Sequence, residues 1–309
     1  MRRGSQWRGM ARLGLAVISA MIAALPTIPI AAAQSPAPAV SFKGKTALVT
    51  GSTDGLGREI ARALAAAGAH VVVHGRNAAR GRAVVDEIRR QGIGSAQFFA
   101  ADFASLDAVR DFADTIARRF PKLDLLVNNA GISLMRDSVR RTSVDGHELH
   151  FAVNYLPGWV LVHRLRDALA AAAPSRVINV SSRSASPIDF TDVMLERPGA
   201  YRRGYGQSKL AQVTMTAALA EEFLQRGITM VAVHPATMMN THMVLSAGAA
   251  PRSTVQEGLD AVMQLIGSPS LQAGAFYNGP RLSTTHAQVS DAVARAQLRA
   301  LSARLTKVP

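Results

Sequence analysis

Short apolar stretches rich in β-branched residues alternate along the chain with longer segments whose apolar positions recur at helical spacing. The short stretches predict strands, and the longer segments predict helices, several of them closed by a glycine. The predicted strands cover residues 46–50, 70–74, 95–100, 123–128, 176–181 and 228–234, with a weaker candidate over 274–277. The predicted helices cover residues 55–68, 77–91, 105–120, 143–173, 205–227 and 287–305, and residues 187–204 are predicted to be irregular.

This alternation determines the predicted fold class. A strand that is apolar along its whole length is buried on both faces, and strands that are each followed by a helix form a parallel sheet. The pattern therefore predicts an α/β protein with a Rossmann-type, doubly wound parallel sheet. No repeat of fixed period occurs, and one domain is sufficient for residues 42–309.

The first 33 residues differ from the rest of the chain. Four arginines, without any acidic residue, precede an apolar run over 13–30 that ends in three alanines, which is typical of a signal peptide cleaved after Ala33. An uncleaved membrane anchor is the alternative, although a run of about 18 residues barely spans a bilayer. Residues 34–41 then form a proline-containing linker. A cleaved signal implies a periplasmic or secreted protein, whereas an anchor allows a body on the cytoplasmic side.

Composition narrows the function classes. Hydrophobic residues make up 48% of the 309 residues and charged residues 18%, which favours a globular body over a disordered chain. The absence of cysteine excludes disulfides, thiolate catalysis and zinc–thiolate sites. The net charge is +14, but no dense basic run with interleaved aromatic residues occurs, so no nucleic-acid partner is expected. The histidines lack metal-ligand spacing and no G-x-S-x-G elbow occurs, so we expect neither a metal site nor a serine hydrolase.

The first predicted strand runs directly into a glycine-rich turn, TGSTDGLG, over residues 50–57, and a helix follows. Glycines allow the backbone to approach a pyrophosphate, and the helix N-terminus offers free N–H groups and a positive dipole end. The strand before the turn and the helix after it supply the context that this motif requires, whereas a plain βα turn is the alternative. The predicted cofactor-binding residues of this loop are Gly51, Ser52, Thr53, Asp54, Gly55, Leu56 and Gly57.

The end of the second predicted strand distinguishes NAD from NADP. An acidic residue there would bind the ribose 2′-hydroxyl, but this chain has HGRN over residues 74–77. Arg76 stands where the selecting residue belongs, and Arg58 lies just behind the glycine loop. Two guanidiniums can clamp a 2′-phosphate, which favours NADP(H), although both are also compatible with ordinary surface arginines. Asp102, after the third strand, is expected either to bind the adenine amino group or to be an ordinary acidic residue at the start of the next helix.

Tyr205 and Lys209 are four residues apart at the start of a predicted helix and therefore share one helical face. A free phenol has a pKa of about 10, and an ammonium about 4 Å away can lower that pKa by about 3 units. The pair thus has the chemistry of a general acid and base near neutral pH. Ser181 and Ser182 end the fifth strand, and one of the two hydroxyls is expected to face the same cleft and donate to a carbonyl oxygen.

The fourth predicted strand ends in the sequence NNAG over residues 128–131. Its small residues allow Asn129, Ala130 and Gly131 to lie against a cofactor, while the asparagine side chains are expected to tie neighbouring loops together. Asn154 lies in an otherwise apolar helical stretch. Its amide is expected to satisfy a backbone carbonyl, to hold a water that feeds protons to Lys209, or to do both.

Together, residues 50–57, the NNAG sequence, Asn154, Ser182 and the Tyr205–Lys209 pair resemble the short-chain dehydrogenase/reductase superfamily. The resemblance covers residues 42 to about 280 with the motifs in the same order. It looks most similar to the branch of retinol dehydrogenases and WW-domain oxidoreductases, through HGRN, AAPSRVINVSS, YGQSKLA and VAVHPAT. Ala236 departs from the Pro-Gly pair that is usual in the family at this point.

The resemblance implies a role for each residue. Tyr205 would be the general acid and base, Lys209 would lower its pKa and hold the nicotinamide ribose, and Ser182 would polarise the carbonyl. Asn154 would complete a proton relay, and Thr241 would contact the nicotinamide carboxamide.

The function that these features predict is hydride transfer between NADP(H) and a carbonyl/alcohol pair. Four methionines in segments expected to flank the cleft favour an apolar substrate. They are Met194, Met238, Met239 and Met243. A non-catalytic NADP(H)-binding sensor and a reductase of carbon–carbon double bonds are the alternatives. The sequence is compatible with membrane association through residues 1–33 and with assembly as a homodimer, and it decides neither.

Overall fold

The computed structural model describes residues 41–134 and 139–308, so the predicted signal or anchor segment and nearly all of the linker lie outside the described residues. The strands are β1 (Thr46–Val49), β2 (His70–Gly75), β3 (Ser95–Ala100), β4 (Leu125–Asn128), β5 (Ser175–Val180), β6 (Ile228–His234), β7 (Phe276–Asn278) and β8 (Arg281–Ser283). The helices are α1 (Gly55–Ala66), α2 (Ala78–Gln91), α3 (Leu106–Arg119), α4 (Leu156–Arg164), α5 (Arg166–Ala171), α6 (Gly204–Leu224), α7 (His242–Ser246), α8 (Val255–Gly267) and α9 (Ala292–Thr306).

The eight strands form one sheet in the order β3-β2-β1-β4-β5-β6-β7-β8. All neighbours from β3 to β7 are parallel, and β8 pairs with β7 in antiparallel register. The prediction of a Rossmann-type parallel sheet is thus confirmed, with an added antiparallel edge strand that was not predicted. The strand order reverses between β1 and β4, and the carboxyl ends of these strands border the crevice where such sheets bind ligands.

Residues 143–173 were predicted to contain a long helix, and the structure places helix only within 151–171, in three consecutive pieces. Thr142 and Glu148 form an isolated bridge, a π-helical turn spans Phe151–Tyr155, and α4 and α5 follow as separate helices. Pro157, near the start of α4, has no N–H to donate to the preceding turn, and the wider π turn accommodates this interruption.

The segment between β6 and β7 contains α7 and α8, neither of which was predicted. A capping box between Thr254 and Glu257 starts α8. The predicted N-cap of α3 is confirmed, since the Ser105 hydroxyl accepts a hydrogen bond from the amide of Ala108 at 3.3 Å.

Apolar side chains cover both faces of the sheet. Helices α1, α2 and α8 pack on one face, and α3, α4, α6 and α9 pack on the other. The C-terminal helix α9 is anchored by buried polar contacts: Tyr155 bonds to Ser302 at 2.6 Å between hydroxyl oxygens, and Trp159 Nε1 donates to the carbonyl of Val308 at 3.2 Å. Over residues 41–134 and 139–308, no helix has both the length and the apolarity needed to cross a bilayer.

Candidate active site

The glycine-rich loop between β1 and α1 packs directly against the end of β4. Gly51 has a φ of +64°, and a Cβ added there would lie 2.8 Å from the Cα of Ala130. A Cβ on Gly57 would lie 2.4 Å from the carbonyl oxygen of Gly51. Both positions therefore require glycine, because a side chain would push the loop away from the sheet.

Asn129 holds the glycine-rich loop to the end of β4. Its Nδ2 donates to the carbonyl of Thr50 at 2.8 Å, and the Thr50 hydroxyl accepts from the amides of Asn129 and Ala130 at 2.9 and 3.0 Å. The side chain thus ties two loops together at the switch point of the sheet.

Three other residues of the loop have side chains that contact the body of the fold. The buried Ser52 hydroxyl donates to the carbonyl of Val49 at 2.7 Å and accepts from the amide of His74 at 3.0 Å. Leu56 is buried in the apolar core under α1. Thr53 packs against Gly75 at the end of β2, where a Cβ would lie 2.6 Å from the Thr53 methyl carbon.

His74 also shapes this loop, and sequence reasoning did not identify it as a site residue. Its Nδ1 accepts a hydrogen bond from the amide of Gly51 at 3.1 Å, its Nε2 lies 3.3 Å from the carbonyl of Ala101, and its ring stacks on Phe103. Since Nδ1 is an acceptor, the proton lies on Nε2 and the imidazole is neutral. Burial lowers the pKa of His74 to about 4, which is consistent with that assignment.

Arg58 and Arg76, the two predicted phosphate-binding arginines, are engaged to different degrees. Arg58 forms a two-pronged ion pair with Glu87, at 2.7 Å from Nη2 to Oε1 and 3.2 Å from Nε to Oε2. This hydrogen bonding raises the pKa of Arg58 above its ordinary value. Arg76 lies 3.9 Å from Asp102, and its side chain is 69% exposed. Arg76 is therefore the freer of the two guanidiniums.

Asp54 stands at the start of α1. One of its carboxylate oxygens accepts from the amide of Gly55 at 2.7 Å, and the other accepts from Arg80 at 3.3 Å. Arg80 was not singled out from the sequence, and it offsets the negative charge of Asp54 beside the glycine-rich loop. Asp102 accepts from the amide of Ala104 at 3.0 Å and so caps the turn after β3.

The Tyr205 and Ser182 side chains meet at the carboxyl edge of the sheet. Tyr205 is the second residue of α6, and Ser182 follows β5 by two residues. The Ser182 hydroxyl lies close enough to the phenol to act on the Tyr205 pKa, and it accepts a hydrogen bond from the amide of Ser184 at 3.0 Å. Ser181 is occupied elsewhere, because its hydroxyl donates to the backbone carbonyl of Lys209 at 2.7 Å. Ser182 is thus the serine that faces the phenol.

Lys209 is buried next to Tyr205. Its Nζ lies 5.8 Å from the centre of the phenol ring and donates to the carbonyl of Val180 at 3.0 Å and to Oε1 of Gln212 at 3.1 Å. Burial lowers the pKa of Lys209 to about 8, so the side chain is still mainly charged near neutral pH.

The pKa of Tyr205 departs from the sequence-based expectation. Burial raises this pKa above its ordinary value, and the Ser182 hydroxyl acts in the opposite direction with a smaller effect. The expectation that Lys209 alone lowers the pKa of the phenol is therefore wrong for the protein by itself.

Asn154 lies in the π-helical turn and hydrogen-bonds to Ile132, the residue directly after the NNAG sequence. Its Oδ1 accepts from the amide of Ile132 at 2.7 Å, and its Nδ2 donates to the carbonyl of Ile132 at 3.1 Å and to the Ser208 hydroxyl at 3.0 Å. A Cβ on Gly131 would lie 3.2 Å from Asn154 Oδ1 and 3.6 Å from Lys209 Nζ. Because Gly131 has no side chain, a small space remains beside the buried ammonium, and this space is called the Gly131 cradle.

Thr241 lies over the glycine-rich loop, where a Cβ on Gly55 would be 3.3 Å from its methyl carbon. The two residues line a cleft of about 350 Å³ together with Asp54 and Arg58. The four methionines proposed to flank the cleft are not brought together as a group. Met194 packs with the core on the α6 face of the sheet, whereas Met239 packs with the core on the α1 face.

A family model for short chain dehydrogenases matches residues 45–251, about two thirds of the chain. The chain belongs to the short-chain dehydrogenase family. Within this family it lies in the retinol-dehydrogenase-like branch, as the sequence motifs predicted. It is 34% identical over 204 residues to retinol dehydrogenase 12 of Mus musculus, 37% over 199 residues to retinol dehydrogenase 13 of Homo sapiens, and 35% over 217 residues to the SDR family member FEY of Arabidopsis thaliana.

These alignments cover 65%, 63% and 67% of this short-chain dehydrogenase, and they span 64%, 59% and 57% of the three relatives. Solved structures agree on the fold. An uncharacterized protein of Mycobacterium paratuberculosis has a TM-score of 0.70 at 28% identity, covering 87% of this chain and 95% of that one. The RhlG/NADP active-site complex of Pseudomonas aeruginosa has a TM-score of 0.63 at 26% identity, covering 78% and 97%.

Among the described residues of this short-chain dehydrogenase, no cluster of three or more His, Asp or Glu side chains is arranged to hold a metal ion. The described part of the site is built from backbone amides, arginines, hydroxyls and one buried ammonium. Every predicted site residue lies at or near the carboxyl edge of the sheet or at the helix ends beside it.

Proposed function

We propose that this protein is an NADP(H)-dependent oxidoreductase that transfers a hydride between the nicotinamide and a carbonyl/alcohol pair, with Tyr205 as the general acid and base. The observation that carries this proposal is the meeting of Tyr205, Ser182 and the buried Lys209 at one point of the sheet edge. This point lies beside the Gly131 cradle, on the same edge as the glycine-rich loop.

The residues present fit a dinucleotide. Gly51, Gly55 and Gly57 let the glycine-rich loop lie tightly against the end of β4 and against Thr241, and the amides of the first turn of α1 would bind a pyrophosphate. Lys209 and Gly131 would hold the nicotinamide ribose, with Asn129, Ala130 and Thr241 around it. When bound, the cofactor would donate or accept the hydride.

Tyr205 and Ser182 would act on the substrate oxygen. In carbonyl reduction, the Ser182 hydroxyl polarises the carbonyl and the Tyr205 phenol gives its proton to the oxygen as the hydride arrives. A raised pKa keeps the phenol protonated at neutral pH, which suits the donor role. Lys209 stabilises the phenolate that is left, and Asn154 supports a path by which the proton is replaced.

The preference for NADP(H) rests on Arg76. No acidic residue ends β2, and Arg76 is exposed and only loosely paired, so its guanidinium is available to a 2′-phosphate. Arg58 would contribute less, because Glu87 already occupies it. Asp102 would bind the adenine. Two solved neighbours, the RhlG complex and a metagenomic short-chain oxidoreductase, contain NADP, which supports the same assignment.

The substrate class we propose is an apolar aldehyde or ketone and the matching alcohol. The support is the similarity to proteins named retinol dehydrogenases. Since the methionines do not form one apolar wall, they no longer support this class. Reduction of a carbon–carbon double bond and cofactor binding without turnover remain the two competing functions.

The test is oxidation of NADPH and NADH by the full chain with apolar aldehydes, apolar ketones and conjugated alkenes as acceptors. Faster turnover of NADPH with a carbonyl acceptor supports the proposal. Turnover confined to alkenes indicates the double-bond reductase. NADPH binding without turnover on any acceptor indicates a sensor.

We further propose that residues 1–33 direct the protein to the membrane and are cleaved on export. The arginine-rich start and the alanine exit of the apolar run support this proposal. An immunoblot of cell fractions checks it: a shortened chain in the periplasm or medium is expected. A full-length chain in the membrane fraction indicates an anchor instead.

A further inference from the structure

We propose that Gln212 is a positioning residue for Lys209: its side-chain oxygen holds the ammonium beside Tyr205 with a neutral acceptor, so that the positive charge remains available to the phenol. This inference rests on the proposed function, because it assigns a role in the Tyr205–Lys209 chemistry.

The geometry places Gln212 directly on the ammonium. The two residues are three apart in α6, and Lys209 Nζ donates to Gln212 Oε1 at 3.1 Å. Both are buried, with 5% and 2% of their surfaces exposed. The carbonyl of Val180 accepts a second hydrogen bond at 3.0 Å. An ammonium has three N–H groups, so one remains for a ligand, beside the Gly131 cradle.

The acceptors around Lys209 are all uncharged. Val180 of β5 contributes a backbone carbonyl and Gln212 a side-chain oxygen, and the amide oxygen of Asn154 lies near the same cradle. Tyr205 is the titratable group that faces the ammonium, and no carboxylate among the described residues offsets the effect of burial on its pKa. Burying this charge is unfavourable, and a carboxylate partner would be the usual remedy.

A neutral acceptor has a specific consequence for Tyr205. A glutamate at position 212 would form a close ion pair with Lys209, and the net charge seen by the phenol would fall to nearly zero. Glutamine provides the same reach and the same acceptor atom without cancelling the charge. The side chain at position 212 therefore controls both the place of the ammonium and the strength of its field.

The experiment compares the full-length wild type with Gln212→Glu and Gln212→Met in alcohol oxidation with NADP⁺ across pH. Oxidation requires the phenolate, and its rate rises with pH as the coupled Tyr205–Lys209 pair loses its first proton in the presence of NADP⁺. In Gln212→Glu, we expect the midpoint of this rise to move up by about one pH unit. In Gln212→Met, we expect kcat to fall about tenfold with a smaller change in KM, because the ammonium loses its anchor.

Gln207→Met is the matched control, since Gln207 is a buried glutamine of the same helix that binds Val193 and Asp189 rather than Lys209. Its midpoint should stay at the wild-type pH even if its rate falls. A midpoint that moves equally in Gln207→Met and Gln212→Glu, or in neither, overturns the proposal.

A second measurement does not depend on turnover. Unfolding free energies of wild type, Lys209→Met, Gln212→Glu and the double variant form a cycle near pH 7 and pH 9. We expect the wild type to become more stable from pH 7 to pH 9, because folded Lys209 loses its proton near pH 8 whereas the unfolded lysine keeps it up to about pH 10.5. Gln212→Glu should lack this gain, since the ion pair raises the Lys209 pKa. Absence of coupling in this cycle overturns the proposal. If the wild type turns over no carbonyl or alcohol, the proposed function fails and the cycle alone decides the Gln212 assignment.

Discussion

The imidazole of His74 accepts a hydrogen bond from the backbone amide of Gly51 at 3.1 Å, which joins the end of β2 to the first glycine of the phosphate loop. The acceptor must be an unprotonated nitrogen, and burial keeps the ring neutral by lowering its pKa to about 4. A side chain that only looks like the last residue of an apolar strand thus determines the position of the loop.

This contact predicts a specific acid sensitivity. The unfolded chain binds a proton at His74 with an ordinary pKa of 6.5, whereas the folded chain resists protonation down to about 4. The contribution of neutral His74 to the free energy of unfolding is therefore fully present above about pH 6.5. It is lost as the pH falls towards 4, which lowers the free energy of unfolding by up to about 3 kcal/mol. Replacement of His74 with Asn preserves an acceptor but removes the titration.

Urea unfolding at several pH values between 7 and about 4.5 checks this prediction. The stability of His74→Asn should fall less steeply with decreasing pH than that of the wild type. Some slope should remain, since burial lowers the pKa of His234 to about 4 as well. Equal slopes for the two proteins would contradict the assignment of a neutral, buried His74.

Arg76 and Arg58 should contribute unequally to cofactor choice. In Arg76→Ala, we expect the affinity for NADPH to fall about 10- to 100-fold, since a charge-assisted bond is worth about 1.5–3 kcal/mol, while the affinity for NADH changes little. Arg58→Ala should cost less NADPH affinity because Glu87 already engages Arg58. Fluorescence titration with both cofactors measures the difference. Equal losses of NADPH and NADH affinity in Arg76→Ala would argue against a 2′-phosphate contact.

Gly131 should be needed for binding more than for folding. A methyl group there would lie 3.2 Å from Asn154 Oδ1 and 3.6 Å from Lys209 Nζ, and it would fill the cradle next to the ammonium. In Gly131→Ala, we expect about tenfold weaker NADPH binding with an unfolding free energy close to that of the wild type. Calorimetric titration and urea unfolding give the two quantities. Unchanged affinity would remove Gly131 from the cofactor site.

The hydrogen bond between Tyr155 and Ser302, which anchors α9, should respond differently to the loss of its donor and the loss of its acceptor. The Ser302 hydroxyl donates to the carbonyl of Leu298 at 2.7 Å, so it accepts from the Tyr155 phenol. Tyr155→Phe removes one hydrogen bond and should cost about 1 kcal/mol, whereas Ser302→Ala leaves a buried phenol unpaired and should cost about 1–3 kcal/mol. Urea unfolding of both variants checks the order. A larger loss in Tyr155→Phe would contradict the direction of the bond.

Local patterns of the chain predicted most of the fold. The strands from β1 to β6 and the pairing of Tyr205 with Lys209 depend on periodicity within a few residues, which a sequence shows directly. Pro157 could have predicted the break of the long helix, and the capping-box residues Thr254 and Glu257 could have predicted the start of α8. The short antiparallel strand β8 has only three residues and no comparable local signal.

The electrostatics of the site could not be predicted in this way. The partner of Arg58 is Glu87, a residue 29 positions away on another helix, and only the packing of α1 on α2 brings them together. The pKa of Tyr205 likewise depends on how deeply α6 packs against the sheet. Local spacing predicted which groups meet at the site, but burial decides how strongly each one is charged.

The most direct test of the proposed chemistry is the rate of NADPH oxidation with the best carbonyl acceptor, measured for wild type, Tyr205→Phe and Tyr201→Phe. Tyr201 precedes α6 in a 3₁₀ turn, and its ring faces Arg202 rather than Ser182, so it serves as the control. Tyr205→Phe should lose at least about 100-fold in kcat while its NADPH affinity stays near the wild-type value, and Tyr201→Phe should retain activity. Wild-type turnover by Tyr205→Phe would contradict the assignment of Tyr205 as the general acid and base.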